Sequence, residues 1–255
     1  MVRMKARPGL TLAILLIPAF TATSPEQQRI PVKPPKASRP ANPIPDQLST
    51  HSKVRTAWLS DVKGEVALAN HTGDMLEKTF SNAPISEQSL VQTGFGRAEI
   101  EFVGGSTIRL APYSAVKLPR VELLPTGTTA STVSILKGTV YISLMPSYLV
   151  NTKGSEILVT FGERSLRLLP SSHLRIEFDD AKAKLVLFDG PGQIETASGS
   201  IKLPSRHTVI FDPALPQPAK LRKVEHRPMD TWDRDRLERQ RRSMNWENHI
   251  VRLFH

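Results

Sequence analysis

The chain has 255 residues, a formal net charge of +10 and no cysteine. The lack of cysteine excludes a disulfide framework, a lipoprotein anchor, thiol catalysis and cysteine-based zinc sites. Residues 54–217 hold sixteen basic and sixteen acidic side chains, so the positive charge lies in the two ends of the chain. This distribution favours attraction of a tail to anionic lipid or cell wall over a nucleic-acid groove, and we expect no nucleic-acid partner.

Residues 1–23 have the features of a secretory signal peptide. Arg3, Lys5 and Arg7 precede an apolar run at residues 10–20, and a small polar run follows it. This apolar run is much shorter than the ~20 residues of a membrane-spanning helix. We therefore favour a cleaved signal peptide over an N-terminal membrane anchor, and expect a periplasmic or secreted protein.

Residues 24–53 are predicted to form a proline-rich linker. The stretch 24–50 holds seven prolines and few apolar residues. Such a segment buries too little apolar surface to fold, and its prolines favour an extended spacer.

Residues 54–215 predict an all-β domain. Apolar and polar residues alternate in short runs, with turn residues every eight to twelve positions, and no apolar repeat of helical period is sustained. This spacing predicts an antiparallel sandwich or a β-solenoid-like fold. The predicted strands are 62–69, 98–102, 107–110, 133–136, 139–144, 156–161, 166–169, 174–178, 184–188, 193–197 and 208–211.

The glycine-rich stretch VQTGFGRAEIEFVGGSTIRLAPYS, residues 91–114, predicts a β-hairpin and not a phosphate-binding loop. It lacks the glycine–lysine–hydroxyl ending of such a loop and a helix pattern after it. Because side chains alternate along a strand, Ala98, Ile100 and Phe102 lie on one face of the predicted strand. The other face carries Arg97, Glu99 and Glu101. A three-residue connection, Gly104-Gly105-Ser106, would pair Phe102 with Ile108 and Ile100 with Leu110. We also predict turns at Gly94, Gly105 and Gly138.

A series of short strand and turn motifs, most of them with glycine, serine or threonine, follows along this domain. They are Gly64-Glu65-Val66 after Trp58, Leu90-Val91-Gln92-Thr93-Gly94 before Ala98-x-Ile100-x-Phe102, Gly105-Ser106-x-Ile108-x-Leu110, Ser114, Leu136-x-Gly138-x-Val140, Asn151-Thr152 and the stretch 185–190. In this order they resemble the FecR domain family, the periplasmic part of ferric-citrate-type regulators and of stand-alone exported proteins. The resemblance implies a β-rich domain that binds or scaffolds. Those regulators carry an anti-sigma segment before a spanning helix, whereas nine residues precede the apolar run here, so we expect a stand-alone exported domain.

No pattern points to catalysis, and we predict a non-enzymatic protein without cofactor or metal. The seven histidines show no zinc-ligand spacing, and we interpret His173 as a surface side chain. Ser205, His207 and Asp212 have the residue types of a triad but no nucleophile elbow. We interpret the acidic group at Glu177, Asp179 and Asp180 as a hairpin tip and not as a calcium site.

Residues 216–255 form a basic C-terminal tail, with a helix predicted at about 231–250 and capped by Asp230 or Thr231. In one interpretation this helix packs Trp232 and Leu237 on the β-domain. In the other it is a basic surface helix that contacts a partner or membrane. The candidate contact residues are Trp232, Arg234, Arg236, Arg239, Arg241 and Arg242.

The sequence therefore predicts an exported binding or scaffolding protein that acts in cell-envelope sensing or assembly. Its partner would be an envelope protein, and pairing at a sheet edge is one way in which the two could bind. The tail would contact anionic lipid or cell wall. The alternative is a peptidoglycan or polysaccharide module, and an envelope hydrolase comes third. A long free edge strand would favour the protein-binding scaffold. Exposed aromatic side chains along a groove would favour the polysaccharide module, and converging carboxylates in a deep pocket would favour the hydrolase. The oligomeric state is left open.

Overall fold

The structure is a computed structural model that describes residues 56–71, 73–124, 129–146, 155–196, 199–215, 217–221 and 223–253. These residues belong to one unit, Thr50–His255. The predicted signal peptide, the linker and the Asn151-Thr152 motif lie outside the described residues.

Seventeen strands and one helix are described. They are β1 (Ala57–Lys63), β2 (Val66–Ala69), β3 (Glu77–Lys78), β4 (Pro84–Ile85), β5 (Ser89–Thr93), β6 (Arg97–Phe102), β7 (Thr107–Leu110), β8 (Ala115–Leu123), β9 (Thr129–Ser143), β10 (Ser155–Phe161), β11 (Arg164–Leu168), β12 (His173–Asp179), β13 (Lys182–Asp189), β14 (Gly192–Thr196), β15 (Gly199–Leu203), β16 (His207–Phe211), β17 (Ala219–Leu221) and α1 (Pro228–Leu253).

The strands form two halves that share the long strand β9. Sheet A has the order β4-β1-β6-β7-β9-β12-β13-β16-β17, and sheet B has the order β3-β2-β5-β8-β9-β10-β11-β14-β15. All these pairs are antiparallel except β9 with β10. The predicted all-β class with a C-terminal helix is confirmed.

Side chains from both sheets build one apolar core. On β6 of sheet A, Ile100 and Phe102 are fully buried, and Val91 on β5 of sheet B is buried in the same cluster. Phe161 of sheet B packs edge-on against Phe178 and Phe211 of sheet A, with ring centroids 6.1 and 6.3 Å apart. Each sheet buries one face in this core, which leaves its other face outside. The outer face of sheet A is the one on which the tail packs.

Strand β9 changes from sheet B to sheet A at Gly138. Its N-terminal part pairs with β8 up to Lys137, and its C-terminal part pairs with β12 from Gly138 onward. Gly138 has a φ of +90°, and an added Cβ would lie 2.5 Å from Ser114 Oγ. That hydroxyl accepts the backbone N–H of Thr139 at 2.9 Å and donates to its carbonyl at 3.0 Å. The bend therefore requires a residue without a side chain and is held by Ser114.

The β6–β7 hairpin confirms the predicted faces but not the predicted register. The structure pairs Ile100 with Ile108 and Ala98 with Leu110, so the prediction is wrong by two residues. The three-residue connection is 103–105, because the N–H of Phe102 bonds to the carbonyl of Ser106 and the N–H of Gly105 to that of Phe102. Gly104 and Gly105 both have positive φ, +96° and +81°, which lets the chain turn one residue earlier than predicted.

Three other strand predictions differ from the structure. The predicted strand 62–69 is divided at Gly64, whose φ is +77°, and the predicted strands 133–136 and 139–144 are one strand, β9. Strands β3, β4, β5, β8, β15 and β17 were not predicted. In β8 the register shifts between Lys117 and Arg120, around Pro119, and this irregularity breaks the apolar alternation that identifies a strand.

Candidate functional site

Helix α1 begins three residues before the predicted start. Pro228 takes the first helical position, where its missing N–H costs no hydrogen bond. The carboxylate of Asp230 accepts the backbone N–H of Arg227 at 2.8 Å, and the N–H of Asp230 bonds to the Arg227 carbonyl. Asp230 thus stabilises the helix start from the third helical position, as in a capping box, and does not itself precede the helix.

One side of α1 packs on the outer face of sheet A. Asp230, Asp233, Leu237 and Gln240 follow one another at spacings of three or four residues, so a helix places them on one side. Asp233 and Leu237 are buried, and the Gln240 amide donates to the carbonyl of Gly105 in the β6–β7 turn at 2.5 Å. The interface is unusual because charged side chains, and not only apolar ones, form its centre.

Arg109 on β7 is fully buried at this centre. Its Nε donates to Glu99 on β6 at 2.5 Å, and its Nη1 donates to Asp233 Oδ1 at 3.0 Å and to Ser143 Oγ at 3.1 Å. Its Nη2 donates to Gln240 Oε1 at 3.2 Å. Every nitrogen of this guanidinium therefore has a partner, and two of the partners come from the helix.

Arg175 on β12 is the second fully buried arginine and holds the helix start. Its Nη1 donates to both carboxylate oxygens of Asp230, at 2.5 and 2.7 Å, and its Nη2 donates to the carbonyl of Glu225 at 2.8 Å. Glu177 Oε1 lies 2.9 Å from Nε. The Tyr141 hydroxyl on β9 donates to Asp230 at 2.8 Å, so Asp230 has partners on two strands.

Further contacts of Glu99 and Asp233 bring Arg236 and His173 into this charged cluster. Glu99 accepts hydrogen bonds from Ser60 at 2.6 Å and from Arg236 on the helix. His173 Nε2 lies 2.6 Å from Asp233 Oδ2, and its ring lies over Phe188 with centroids 4.9 Å apart. The side chain of His173 is only 12% exposed, so its interpretation as a surface residue was wrong. His173 faces the helix because it lies on the same face of β12 as Arg175, and this face packs against α1. We call Glu99, Arg109, Tyr141, His173, Arg175, Asp230, Asp233 and Arg236 the docking cluster.

The ionisation of the cluster follows from burial and charge. Burial of Glu99 disfavours its charged form, but the hydrogen bond from Arg236 and the charge of Arg109 outweigh it and lower the pKa. The pKa of Asp230 is likewise lowered, because the hydrogen bonds from Arg175 and the Arg227 N–H outweigh its burial. Burial and the bond to Asp230 raise the pKa of Tyr141. Its phenol therefore stays a donor at neutral pH.

Apolar contacts flank the docking cluster. Trp232 and Leu237 are buried against the β-domain, and the guanidinium of Arg97 lies 4.7 Å from the centroid of the Trp232 ring. A cation over an indole face is a favourable contact, and more so where both are shielded from water. The helix therefore packs Trp232 and Leu237 on the β-domain, which is the first of the two interpretations of the tail.

The predicted contact residues are divided between two sides of the helix. Trp232 faces inward and Arg236 bonds to Glu99, so both take part in the intramolecular contact. The other four predicted residues are exposed: Arg234, Arg239, Arg241 and Arg242. We call these four the arginine face.

The charges of the cluster pair with one another and do not converge on a cavity. Within the described ranges, no group of three or more His, Asp or Glu side chains has the arrangement of a metal site. Ser205, His207 and Asp212 do not form a triad, since His207 Nδ1 contacts the Ser205 carbonyl at 2.8 Å and Asp212 pairs with Lys182 at 3.1 Å. The arrangement fixes a helix and offers no reacting group to a substrate.

The sheet edges and the helix bear on two further predictions. The edge strands of the described part are β3, β4, β15 and β17, and the longest of them, β15, has five residues. The long free edge strand expected for sheet-edge pairing is therefore not seen in this part of the chain. No helix within the described residues has the length and apolar character needed to cross a membrane.

Comparisons with known proteins give a limited likeness. Neither a protein-family model nor a curated protein matches the chain. Two crystal structures of a candidate anti-sigma factor from Parabacteroides distasonis, at 1.65 and 2.50 Å resolution, are similar to it, each with 10% identity and a TM-score of 0.43. The likeness covers 52% of this chain and 59% of that one. A likeness of this size transfers no function, and the FecR resemblance stays a prediction.

Sequence reasoning missed the residues that fix the helix. Arg109 stands in the apolar strand Thr-Ile-Arg-Leu, and Arg175 stands in the strand His-Leu-Arg-Ile-Glu-Phe. A charged residue at the outward position of a strand is usually solvated, so neither signal was distinctive alone. The complementary signal was Asp230 and Asp233, three residues apart at the start of a predicted helix.

Proposed function

We propose that the protein is an exported, non-enzymatic scaffold that binds an envelope protein through the arginine face of α1. The single observation that carries the proposal is the fixed orientation of this helix. Because Asp230, Asp233 and Trp232 hold α1 on sheet A, the four side chains of the arginine face are left exposed to solvent. The helix therefore holds these arginines in a fixed position, with the exposed carboxylates of Asp235 and Glu238 among them.

Preorganisation supports binding by this surface. A helix that is already folded and packed loses little conformational freedom when a partner binds, and that loss is a main cost of association. Arginine is enriched in protein interfaces because its planar guanidinium forms several hydrogen bonds at once. Arg242 has a 3.4 Å contact with Glu238, and Arg239 Nε donates to the carbonyl of Asp235. Such weak surface contacts are easily exchanged for contacts with acidic side chains of a partner.

The charge distribution supports the same proposal. The positive side chains of the arginine face lie beside a domain whose residues 54–217 carry no net charge. A local basic patch on a neutral body speeds association with an acidic partner, and salt weakens the effect because the Debye length is about 8 Å at physiological ionic strength.

The test uses the full chain and replaces the four arginines together with glutamine. The matched control replaces four exposed basic residues of the β-domain, Lys63, Lys78, Arg167 and Lys202, which likewise removes four charges. A chain shortened before the helix is unsuitable, because it would uncover Arg109 and Arg175 and create a new charged surface.

Each chain is immobilised and exposed to envelope extract, with sacculi and anionic vesicles in parallel. Retention of one defined protein by the wild type and the control, but not by the arginine-face variant, supports the proposal. Equal retention by all three chains would contradict it. Loss of binding only to vesicles or sacculi would move the function of the tail to lipid or cell wall.

A further inference from the structure

An exposed pair of aromatic rings lies at the far end of the domain from the β6–β7 turn. Phe95 follows β5 and Tyr113 precedes β8, and they are 81% and 54% exposed. Their rings meet edge to face with centroids 5.0 Å apart. Large side chains at such exposure lose the free energy that burial would give them, about 25 cal/mol for each Å² of apolar surface. The core of this domain therefore does not account for their position.

The backbone holds Tyr113 outward against its own preference. Its φ is +61°, a left-handed conformation that is strained for a bulky residue. The N–H of Tyr113 bonds to the carbonyl of Gly94 at 2.8 Å. The neighbouring Ser114 N–H bonds to Thr93 Oγ1 at 2.9 Å, and this hydroxyl donates to the Ala111 carbonyl at 2.7 Å. Backbone strain that the surrounding contacts maintain is concentrated at binding sites in proteins.

Tyr113 also lines an open groove of about 450 Å³ on sheet A. The groove runs over the bend of β9 and the ends of β12, β13 and β16. Its charged lining residues are Lys137, Lys182, Lys184, Glu177, Asp179 and Asp212. Three are basic and three acidic. Lys137 and Asp179 have no ion-pair partner among the described residues, so one donor group and one acceptor group stand free in the groove that Tyr113 lines. We call this surface the Tyr113 groove.

We propose that the Tyr113 groove binds a neutral oligosaccharide. A pyranose ring presents a face of C–H groups with partial positive charge, which packs on the negative face of an aromatic ring. Its rim of hydroxyls needs both donors and acceptors, which the ammonium of Lys137 and the carboxylate of Asp179 supply. The open shape of the groove leaves room for a chain that continues beyond it.

The lining argues against other ligand classes. A nucleic acid or an acidic polymer would need an excess of basic side chains, whereas the charges of the groove balance. A lipid chain would need a mainly apolar cavity, whereas six charged groups line this one. The proposal does not rest on the arginine face, which is a separate group of residues.

The variants separate recognition from folding. Tyr113→Gly removes the ring, but glycine adopts a φ of +61° without strain, so the thermal midpoint is expected to stay the same or rise. Phe95→Ala removes the second ring. Phe95 does not itself line the groove, but its ring packs on Tyr113. Phe80→Ala is the matched control, because Phe80 is another exposed phenylalanine, 76% accessible, that neither lines the groove nor has a ring contact with Tyr113.

The measurement is the affinity of the full chain for chitotetraose, cellotetraose and maltotetraose, by calorimetry and by NMR signals of the tyrosine rings. A heparin tetrasaccharide is the anionic comparison. The proposal expects binding of at least one neutral tetrasaccharide, weakened about tenfold or more in Tyr113→Gly and Phe95→Ala and unchanged in Phe80→Ala. Absence of binding to all three up to about 1 mM would overturn it, as would equal affinity of all variants. Tighter binding of heparin than of any neutral sugar would also overturn it.

Discussion

Arg109 on β7 and Asp233 on α1 lie 3.0 Å apart, Nη1 to Oδ1, although 124 residues separate them in the sequence. Neither side chain exposes more than 1% of its surface. A charge removed from water to this degree is tolerated only with a close partner of opposite sign. The contact therefore makes the helix a part of the β-domain and not an appended tail.

Removal of Asp233 is expected to destabilise the protein strongly. Asp233→Ala leaves Arg109 and His173 without this carboxylate, and breaking a buried ion pair typically costs about 3–5 kcal/mol. We expect the lower part of that range, because Glu99 still pairs with Arg109. Urea unfolding at pH 7 measures the loss. Asp235→Ala, at an exposed position of the same helix, should stay within about 0.5 kcal/mol. Equal losses in the two variants would contradict the assignment.

Removal of the Trp232 ring is expected to loosen the helix before the sheets unfold. Trp232→Ala deletes a buried side chain and its contact with Arg97, and large-to-alanine changes of buried aromatic residues cost about 3–5 kcal/mol. Hydrogen exchange should then accelerate in α1 while β6 and β7 stay protected. Arg234→Ala, two positions away and exposed, serves as the control. Uniform acceleration over all elements would show that the helix and the sheets unfold together.

Stability is expected to fall with decreasing pH through the carboxylates of the docking cluster. The folded-state pKa values of Glu99 and Asp230 are lowered, so their contributions are complete above the unfolded values, about 4.3 and 3.9, and disappear as pH falls through the folded values. Glu101 has the opposite sign, because burial and the charge of Glu99 raise its pKa. Its ionisation costs stability at neutral pH, and its protonation removes that cost.

Urea titrations between about pH 7 and pH 3 test these signs. Glu99→Gln should lower the stability at pH 7 and reduce its loss on acidification. Glu101→Gln should raise the stability at pH 7. The exposed Glu122→Gln is the control. An unchanged pH dependence in Glu99→Gln would show that this carboxylate is not linked to folding.

The bend of β9 is expected to exclude any side chain at Gly138. Gly138 and Gly73 have nearly the same φ, +90° and +93°, but a Cβ at Gly138 meets Ser114 at 2.5 Å whereas one at Gly73 meets nothing within 4 Å. Gly73→Ala should cost about 1–2 kcal/mol from backbone strain alone. Gly138→Ala should cost clearly more, and thermal unfolding compares the two. Equal costs would mean that the close approach to Ser114 relaxes freely.

The all-β class, the two faces of β6 and the existence of the C-terminal helix were predictable from the sequence. The strands depend on a local period of two residues that apolar side chains report directly, and the helix on a capping residue with acidic side chains in its first turn. The inward positions Ala98, Ile100 and Phe102 follow from that alternation, and all three are fully buried. Docking of Trp232 and Leu237 on the β-domain was one of the two interpretations of the tail that the sequence left open.

The register of the β6–β7 hairpin, the strand β8 and the docking cluster were not predictable in this way. Either of two three-residue connections keeps the same faces, and the hydrogen bonds of Phe102 with Gly105 and Ser106 select one of them. The cluster joins side chains from β6, β7, β9, β12 and α1, whose meeting depends on the order of strands in sheet A.

The sequence by itself determined which segments extend, which segment coils and which side chains avoid water, because these depend on neighbours a few residues away. The tertiary structure alone decided that Arg109 and Arg175 face a helix and not solvent. Whether a charge on a strand is exposed or paired depends on what covers that face of the sheet. Here the covering carboxylates of Asp230 and Asp233 come from a helix far along the sequence from both arginines.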